Sequence, residues 1–321
     1  MKRILLILLC LTLTSGIAPV LAGCDATNNP TTADNNGITV VCTSFAGFDF
    51  TRSMLAYYTE NGGTGVVQLV MLGKPGQDMH SFEPTAQDII TLAGADILIC
   101  TGAEGWLDAA LSSSGNQNAH RISMMEVSET LDGEHDHDHE HGGEDCSLIG
   151  QDEHVWLSLL NANRICYAIS EALRGVDGDN VEAWSLAYAQ YGEELTALTG
   201  EYVDAVASAA RYNVVVADRN PFAYFFDDWG LNCLAAFPGC SSETSASFET
   251  QAKLIKYTKE WELPYIFIME GSDGKVAEVV AAETGAGILT LNSLQVVTDY
   301  ENTTYLGVMR QNLENLKKAL Q

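Results

Sequence analysis

The chain has 321 residues, and its 43 Asp and Glu outnumber its 16 Lys and Arg, so its formal net charge is −27 with the seven His neutral. Apolar residues make up 46% of the chain and charged residues only 18%, which excludes the hydrophobe-poor composition of a disordered protein. Because such an anionic surface repels phosphate backbones, the composition also excludes nucleic acid as a partner and favours cations. The length predicts about two domains.

Residues 1–23 have the layout of a lipoprotein signal peptide. Met1-Lys2-Arg3 is a basic start, and the apolar run that begins at Ile4 is too short to span a membrane. The stretch closes with Leu21-Ala22-Gly23-Cys24, which looks like a lipoprotein box whose cysteine is diacylated. We therefore expect an exported protein, anchored through lipid on Cys24 to the outer face of the cytoplasmic membrane, at the cell surface or in the periplasm. An ordinary export signal with a chance cysteine is the alternative.

Residues 24–37 are predicted to be a flexible tether, because they are polar and rich in turn-forming residues. Beyond them, short runs of Val, Ile and Leu alternate with helical patterns. This alternation predicts an α/β fold whose parallel sheets are buried on both faces. The predicted strands are Ile38–Thr43, Val66–Leu72, Asp96–Thr101, Asn213–Ala217, Asn232–Phe237, Tyr265–Met269 and Ile288–Leu291, and the predicted helices between them include Thr51–Glu60, Thr85–Ala93 and Phe248–Trp261.

One long segment, residues 180–210, interrupts the alternation. It contains no proline, and apolar residues recur at spacings of three and four from Trp184 to Val206, which is the period of a helix. About 30 residues at roughly 1.5 Å each form a rod of about 45 Å, long enough to join two lobes. We therefore predict an N-terminal lobe over 38–175, a connecting helix over 176–210, and a C-terminal lobe over 211–321 that ends in a helix.

Residues 134–145 form a His-rich loop, in which four His and six carboxylates fall within twelve positions. Nothing in this segment can pack into a core, so it is predicted to be a mobile loop. Imidazole favours zinc and related transition metals, whereas calcium and magnesium prefer oxygen ligands alone. The loop therefore predicts a loose collector of transition metals, with a functionless polar loop as the alternative.

A selective site is expected at the carboxyl ends of the parallel strands, where α/β proteins bind their ligands. In the N-terminal half, His80 follows the strand Val66–Leu72, and His154 follows the His-rich loop just before a helix. In the C-terminal half, strand ends carry Asp218-Arg219, Glu270 and Asn292. From spacing alone, each of the two histidines can be either an ordinary structural residue or a metal ligand.

Four motifs extend over essentially the whole mature chain. They are Pro75-Gly76-Gln77-Asp78-Met79-His80-Ser81-Phe82-Glu83-Pro84-Thr85 with Gly102…Glu104…Trp106, then Asp152-Glu153-His154-Val155-Trp156-Leu157, Tyr224…Trp229-Gly230-Leu231, and Tyr305-Leu306…Met309…Asn312-Leu313…Leu316. In these motifs the chain resembles the metal-binding lipoproteins of ATP-binding-cassette (ABC) zinc and manganese importers. The resemblance implies two α/β lobes joined by one long helix, with a single metal ion held between the lobes for delivery to a membrane permease.

The resemblance also implies that His80 and His154 are the metal ligands of the N-terminal lobe. The family's third ligand, a His or Glu, aligns with Arg219, whose guanidinium cannot ligate a cation. The fourth, usually a carboxylate, aligns with Asn292, a weaker neutral oxygen donor. The ligands of the C-terminal lobe therefore depart from the family's pattern.

Two carboxylates offer replacements in the C-terminal lobe. Glu270 matches an acidic position of the family, and it either completes the metal site or pairs with Arg219. Asp218 is a further candidate, and either carboxylate can instead support a ligand or form an ion pair. The metal site is therefore predicted to consist of His80, His154 and Glu270.

These observations predict a monomeric receptor that captures a divalent transition metal and delivers it to the permease of an ABC importer. The His-rich loop favours zinc, with manganese as the alternative. A surface adhesin or interaction lipoprotein with a structural metal is the competing class. An enzyme is not expected, because the sequence lacks His-Glu-x-x-His, Gly-x-Ser-x-Gly and a Walker-type phosphate loop. His80, His154 and Glu270 alone would resemble a metallohydrolase site, but nothing else in the sequence supports that chemistry.

The cysteines leave the disulfide pattern open. Six remain besides Cys10 of the signal and Cys24, and they are Cys42, Cys100, Cys146, Cys166, Cys233 and Cys240. Cys233 and Cys240 flank a short segment and can be bridged outside the cytosol. Cys42 and Cys100 lie in apolar runs and are expected to be small core residues.

Overall fold

Two parallel four-stranded sheets, one in each half of the chain, form the framework of the computed structural model, which describes residues 37–131, 152–239 and 246–321. The N-terminal sheet has the order β2-β1-β3-β4, and its strands are β1 (Gly37–Cys42), β2 (Val66–Met71), β3 (Ile97–Cys100) and β4 (His120–Ser123). The C-terminal sheet has the order β6-β5-β7-β8, and its strands are β5 (Asn213–Asn220), β6 (Asn232–Pro238), β7 (Tyr265–Met269) and β8 (Gly287–Leu291). Both sheets confirm the predicted α/β class.

Helices surround these sheets and follow the strands in sequence. They are α1 (Phe45–Glu60), α2 (Ala86–Ala93), α3 (Leu107–Ser114), α4 (Leu159–Val176), α5 (Val181–Ala207), α6 (Ala223–Asp227), α7 (Phe248–Glu260), α8 (Lys275–Thr284) and α9 (Tyr305–Leu320). Several of these helices follow an N-cap residue whose side chain accepts a hydrogen bond from a backbone N–H of the first turn. Ser44 accepts a hydrogen bond from the backbone N–H of Gly47 at the start of α1, for example, which satisfies a donor that the helix leaves open.

The predicted strands are confirmed to within three residues at their ends, but β4 was not predicted. Its four residues, His120–Ser123, contain one apolar side chain, and the first two residues are exposed. Such a short strand at the edge of a sheet has no alternating or continuous apolar pattern to reveal it. Pairing with β3 over Ile97–Cys100 creates the strand, so tertiary contacts decide its conformation.

The two lobes share one hydrophobic core. Alternate residues of β1 point to opposite faces of its sheet, and Val40 and Cys42 face a cluster that also contains Val214 and Val216 of β5. Val41 faces a separate cluster on the outer side of the N-terminal sheet. The inner faces of both sheets are therefore buried in the same cluster, inside the compact unit Asn36–Gln321.

Helix α5 is the predicted joining helix. Its 27 residues correspond to a rod of about 40 Å. It packs against α1 and α4 of the N-terminal lobe and against α9 of the C-terminal lobe. Trp184 lies near its first turn and Tyr202 near its last, and both are fully buried. The long apolar stripe in the sequence is thus explained by contact with both lobes.

Several predictions fall on residues that the structure does not describe. The signal peptide 1–23, the tether up to residue 36, the His-rich loop 134–145, Cys146 and Cys240 all lie outside the described ranges. Within those ranges, no helix combines the length and apolar character needed to cross a membrane. Cys42 and Cys100 are buried, which confirms that they are core residues.

Candidate metal centre

His154 lies just before α4, on a segment of the N-terminal lobe that is hydrogen-bonded to the C-terminal lobe. The residues before α4 form a short 3-10 turn, Val155–Leu157, and Ser158 then caps the helix by accepting a hydrogen bond from the N–H of Asn161 at 3.1 Å. The His154 side chain has no exposed surface. A buried imidazole needs partners for its ring nitrogens, so its neighbours define what it can do.

One ring nitrogen of His154 is held by a carboxylate. Nδ1 lies 2.5 Å from Oδ1 of Asp152, and the same oxygen accepts the backbone N–H of His154 at 2.9 Å. Asp152 is also buried, with 4% of its side chain exposed. A carboxylate at Nδ1 keeps the proton on that nitrogen, which leaves Nε2 with the lone pair that a metal requires.

The other ring nitrogen faces the C-terminal lobe. Nε2 of His154 contacts the side-chain amide of Gln295, which lies on the loop after β8. The residue before it, Leu294, is buried and has a φ of 62°, a left-handed conformation that is uncommon for a residue other than glycine. Gln295 was not among the predicted site residues, because no motif distinguishes it from other polar loop residues.

Glu270 and Asn292 shape the loop that carries Gln295. The carboxylate of Glu270 accepts the N–H of Ser293 at 2.8 Å and its hydroxyl at 2.5 Å. Asn292 Oδ1 accepts the N–H of Leu294 at 2.8 Å. Burial raises the pKa of Glu270, while the hydrogen bonds from Ser293 and the electrostatic interaction with His154 oppose that rise. Both predicted C-lobe residues thus stabilise the unusual backbone that carries Gln295 to His154.

Asp218 and Arg219 belong to the end of β5. Asp218 Oδ1 accepts the N–H of Arg219 at 2.8 Å, and its other oxygen accepts the N–H of Met269 at 3.4 Å. In the part of the chain that the structure describes, no ion pair joins Arg219 to Glu270. The predicted alternative in which Glu270 pairs with Arg219 is therefore not observed among the described residues.

His80 lies in the 3-10 turn Met79–Ser81, and its side chain lies outside what the structure describes. The loop before this turn contacts the C-terminal lobe, since the N–H of Gly76 donates to the carbonyl of Val297 at 2.7 Å. Asp78 and Met79 border a cavity of about 120 Å³ that is also bordered by Glu153 and Gln295, the neighbours of His154. The backbone that carries His80 and the segment that carries His154 therefore meet at one cavity.

Carboxylates give this cavity an anionic lining. Asp78, Glu104 and Glu153 all border it, and Glu104 accepts the N–H groups of Thr101 and Gly102 at 2.7 and 2.9 Å. Such a lining attracts cations. Among the side chains that the structure describes, no group of three His, Cys, Asp or Glu is arranged to hold a metal ion. The described part of the site is one oriented imidazole beside an anionic cavity.

Comparison with known proteins identifies relatives of the whole described region. Residues 50–319 match the family ZnuA, described as zinc-uptake complex component A, periplasmic. The high-affinity zinc uptake system protein ZnuA of Bacillus subtilis is 29% identical over 309 residues, which cover 94% of each chain. The chain spans only 58% of the zinc-binding lipoprotein AdcA of Streptococcus pneumoniae, to which it is 28% identical over 305 residues, 92% of its own length.

Solved structures share the fold. The Zn(II)-bound ZnuA-like domain of Streptococcus pneumoniae AdcA aligns with a TM-score of 0.68 at 25% identity, covering 88% of this chain and 99% of that domain. The laminin binding protein Lmb of Streptococcus agalactiae, described as bifunctional with adhesin and metal transporting activity, aligns with a TM-score of 0.70 at 22% identity. That alignment covers 89% of this chain and 100% of Lmb, and at this identity it supports the fold alone.

Proposed function

Because the chain belongs to the family of periplasmic A components of zinc-uptake complexes, we propose that it is an extracytoplasmic receptor that captures zinc and delivers it to the permease of an ABC importer. The observation that carries this proposal is the buried imidazole of His154, whose Nδ1 is held by Asp152. A histidine oriented in this way presents Nε2 as a ligand, and zinc is commonly bound by imidazole nitrogen. The relatives are named as a zinc uptake system protein and a zinc-binding lipoprotein, which supports zinc ahead of manganese.

We propose His80 and His154 as the zinc ligands of the N-terminal lobe. The turn that carries His80 borders the same cavity as the neighbours of His154, which supports a shared site. Glu270 contributes by holding Ser293 and thereby the loop of Gln295, with direct ligation as the alternative. The anionic lining of the cavity increases the local concentration of cations near the two histidines.

The cellular setting belongs to the same proposal. Export and lipidation at Cys24 would retain the receptor at the outer face of the cytoplasmic membrane, where it delivers zinc as a monomer. The His-rich loop 134–145 would collect zinc loosely and raise its concentration near the site. Transport without chemical conversion needs no general base or open coordination position, so the receptor is proposed not to be an enzyme.

The proposal is tested by replacing both histidines. We expect His80→Ala combined with His154→Ala to abolish tight stoichiometric zinc binding in calorimetry, leaving only weak binding by the loop 134–145. His120→Ala is the matched control, because His120 is exposed at the start of β4 and does not border the cavity beside His154. Unchanged tight binding by the double variant would refute the site.

The same measurements separate zinc as cargo from zinc as a structural ion. After chelation, a receptor should leave a folded apo-protein with a cooperative thermal transition, and zinc should add stability by mass action. An adhesin or interaction protein with a structural metal should instead unfold when its metal is removed. Competition between zinc and manganese for the apo-protein then ranks the two cargoes.

A further inference from the structure

The segment that carries His154 belongs to the N-terminal lobe, but the C-terminal lobe holds both of its ends. We call residues Asp152–Leu159 the His154 segment. At its start, the hydroxyl of Tyr224 donates to the carbonyl of Asp152 at 3.0 Å. At its end, Asp228 accepts the hydroxyl of Ser158 at 2.9 Å and the N–H of Leu159 at 3.1 Å.

Tyr224 and Asp228 reach the segment from one short helix. Tyr224 lies in α6 and Asp228 follows its last residue, so the two are four positions apart and lie on the same face. Ser158 is also the N-cap of α4, and a carboxylate beside the first turn of a helix is favoured by the open N–H groups and the helix dipole. Asp228 therefore stabilises both the end of the segment and the start of α4.

The middle of the segment is held as well. The hydroxyl of Tyr305 donates to the carbonyl of Trp156 at 2.7 Å, and the indole N–H of Trp156 donates to the carbonyl of Ser293 at 2.9 Å. Tyr305 and Trp156 are buried. These bonds connect the His154 segment to α9 and to the loop that carries Gln295, so it is bonded to three parts of the C-terminal lobe.

Helix α6 is itself anchored in the core. Phe225 and Phe226 of the helix and Phe222, which precedes its first residue, are all buried. The ring of Phe225 packs edge-on against Tyr202 of α5 at 5.5 Å between centroids, and that of Phe226 lies 6.4 Å from Phe267 of β7. Close-packed aromatic side chains leave little freedom for the helix. The position of α6 is therefore set by the joining helix and the C-terminal sheet.

We propose that Tyr224 and Asp228 are positioning residues for zinc binding, because they hold the His154 segment from the opposite lobe and thereby set the place of the His154 imidazole. This inference rests on the proposed function, in which His154 is a zinc ligand. It assigns to the C-terminal lobe a contribution to affinity that needs no direct metal ligand. Groups that orient a ligand typically change metal affinity by about 10–100-fold.

The test uses two shape-conserving variants and a neighbouring control. Tyr224→Phe removes the hydroxyl that donates a hydrogen bond to Asp152. Asp228→Asn replaces one of the two acceptor oxygens by an NH₂ group, which can only donate, so one of the two hydrogen bonds to the segment is lost. Asp227→Asn removes the same charge one residue earlier, where the carboxylate is exposed. We expect the two positioning variants to bind zinc on the order of tenfold more weakly, with the control unchanged.

Two further readouts separate positioning from a purely structural role. Hydrogen exchange in the apo-protein should become faster in peptides that cover residues 152–159 and stay unchanged in α2 and α3. In the cobalt-substituted protein, the visible absorption bands should shift, because they report the geometry of the ligands. Unchanged exchange, or unchanged zinc affinity and cobalt bands in folded variants, would overturn the proposal.

His154→Ala distinguishes failure of this inference from failure of the proposed function. If His154→Ala keeps tight zinc binding, the histidine is not a ligand and both proposals are wrong. If His154→Ala abolishes binding while Tyr224→Phe and Asp228→Asn bind zinc like the unmodified protein, only the positioning role is wrong. The expected result is loss of binding in the first variant and weakened binding in the other two.

Discussion

At the scale of single residues, the imidazole of His154 is specified by two neighbours with different roles. Asp152 holds Nδ1 and so determines which nitrogen carries the proton. Gln295 approaches Nε2 with a neutral amide, which adds no charge to the site. Under the proposal that His154 binds zinc, the side chain at position 295 is placed to control affinity, because zinc prefers imidazole, thiolate and carboxylate ligands.

We predict that Gln295→Glu strengthens zinc binding. A carboxylate at this position faces Nε2 of His154 and offers zinc an anionic oxygen ligand. Affinity should rise on the order of tenfold, which corresponds to about 1.4 kcal/mol, in a chelator competition assay. Gln311→Glu adds the same charge on the exposed face of α9 and should leave affinity unchanged. An equal gain in zinc affinity in both variants would contradict the prediction, because it would show that the added negative charge alone raises the affinity.

At the scale of elements, the junction between α4 and α5 shows how one buried carboxylate aligns two helices. Asp177 lies between them and accepts hydrogen bonds from the hydroxyl of Tyr58 at 2.9 Å, the indole N–H of Trp184 at 2.8 Å and the amide of Asn180 at 2.8 Å. The rings of Tyr58 and Trp184 stack at 4.0 Å between centroids. The start of the joining helix is thereby fixed to α1 of the N-terminal lobe.

Asp177→Ala is predicted to destabilise the fold without changing the zinc site. The variant leaves the buried hydroxyl of Tyr58 and the N–H of Trp184 without their acceptor, and each such loss costs about 1–3 kcal/mol. We expect the free energy of unfolding in urea to fall by about 2–4 kcal/mol. Asp179→Ala, in the exposed turn that follows, should have little effect. A large loss of zinc affinity in folded Asp177→Ala would contradict this separation.

At the scale of the whole molecule, burial shared between the lobes limits how far they can separate. The core cluster contains residues of both sheets and of α5, and the His154 segment is bonded across the same boundary. Wide opening would expose this apolar surface and break buried hydrogen bonds. Zinc release is therefore expected to involve small shifts of the lobes or movement of loops at the permease.

The net charge of −27 and the buried carboxyl groups make stability dependent on pH. Burial raises the pKa of Asp228 from 3.8 to about 6, against the opposing effect of hydrogen bonds from Ser158 and Leu159. Burial also raises the pKa of Asp49 and of Glu270. A carboxyl group whose pKa is higher in the folded state stabilises the fold below its unfolded pKa, and this contribution is lost as the pH rises through the folded pKa.

We therefore predict that Asp228 makes the apo-protein more stable at pH 5 than at pH 7.5. In urea unfolding, its contribution to the free energy of unfolding should be larger at pH 5 than at pH 7.5 by about 1 kcal/mol. Asp228→Asn should remove that increment, whereas Asp227→Asn should retain most of it, because burial raises the pKa of Asp228 more than the charge of Asp227 does. Comparing variants at each pH cancels the titration of the histidines. The same rise in all three proteins would show that Asp228 does not titrate in this range.

Much of the fold follows from patterns in the sequence. The continuous apolar strands identify sheets that are buried on both faces, and the long stripe from Trp184 to Val206 identifies α5, because these patterns repeat with the period of the element itself. The strand β4 escaped detection because its conformation depends on pairing with β3. Local pattern therefore predicts elements that bury much apolar surface and misses those that sheet pairing creates.

Only part of the surroundings of His154 can be predicted from the sequence. His154 is identified by its motif and by its position before α4. Its partner Asp152 is only two residues earlier, so it belongs to the same sequence motif. Gln295, Tyr224 and Asp228 are far from His154 in sequence, so no local pattern connects them with it. Glu270 was identified as acidic and near the site, but its hydrogen bonds to Ser293 depend on how β7 and β8 end beside each other.

The fold class and the joining helix follow from the sequence alone, because periodicity is a property of short segments. The acidic composition and the histidine motifs also predict a cation and imidazole ligands. Which side chains meet at His154 becomes apparent only in the tertiary structure. Parallel strands and a shared core bring residues separated by 70 to 141 positions into hydrogen-bonding contact. Tyr224 thereby reaches Asp152, and Gln295 reaches His154. Such contacts depend on the packing of whole elements, which no local spacing specifies.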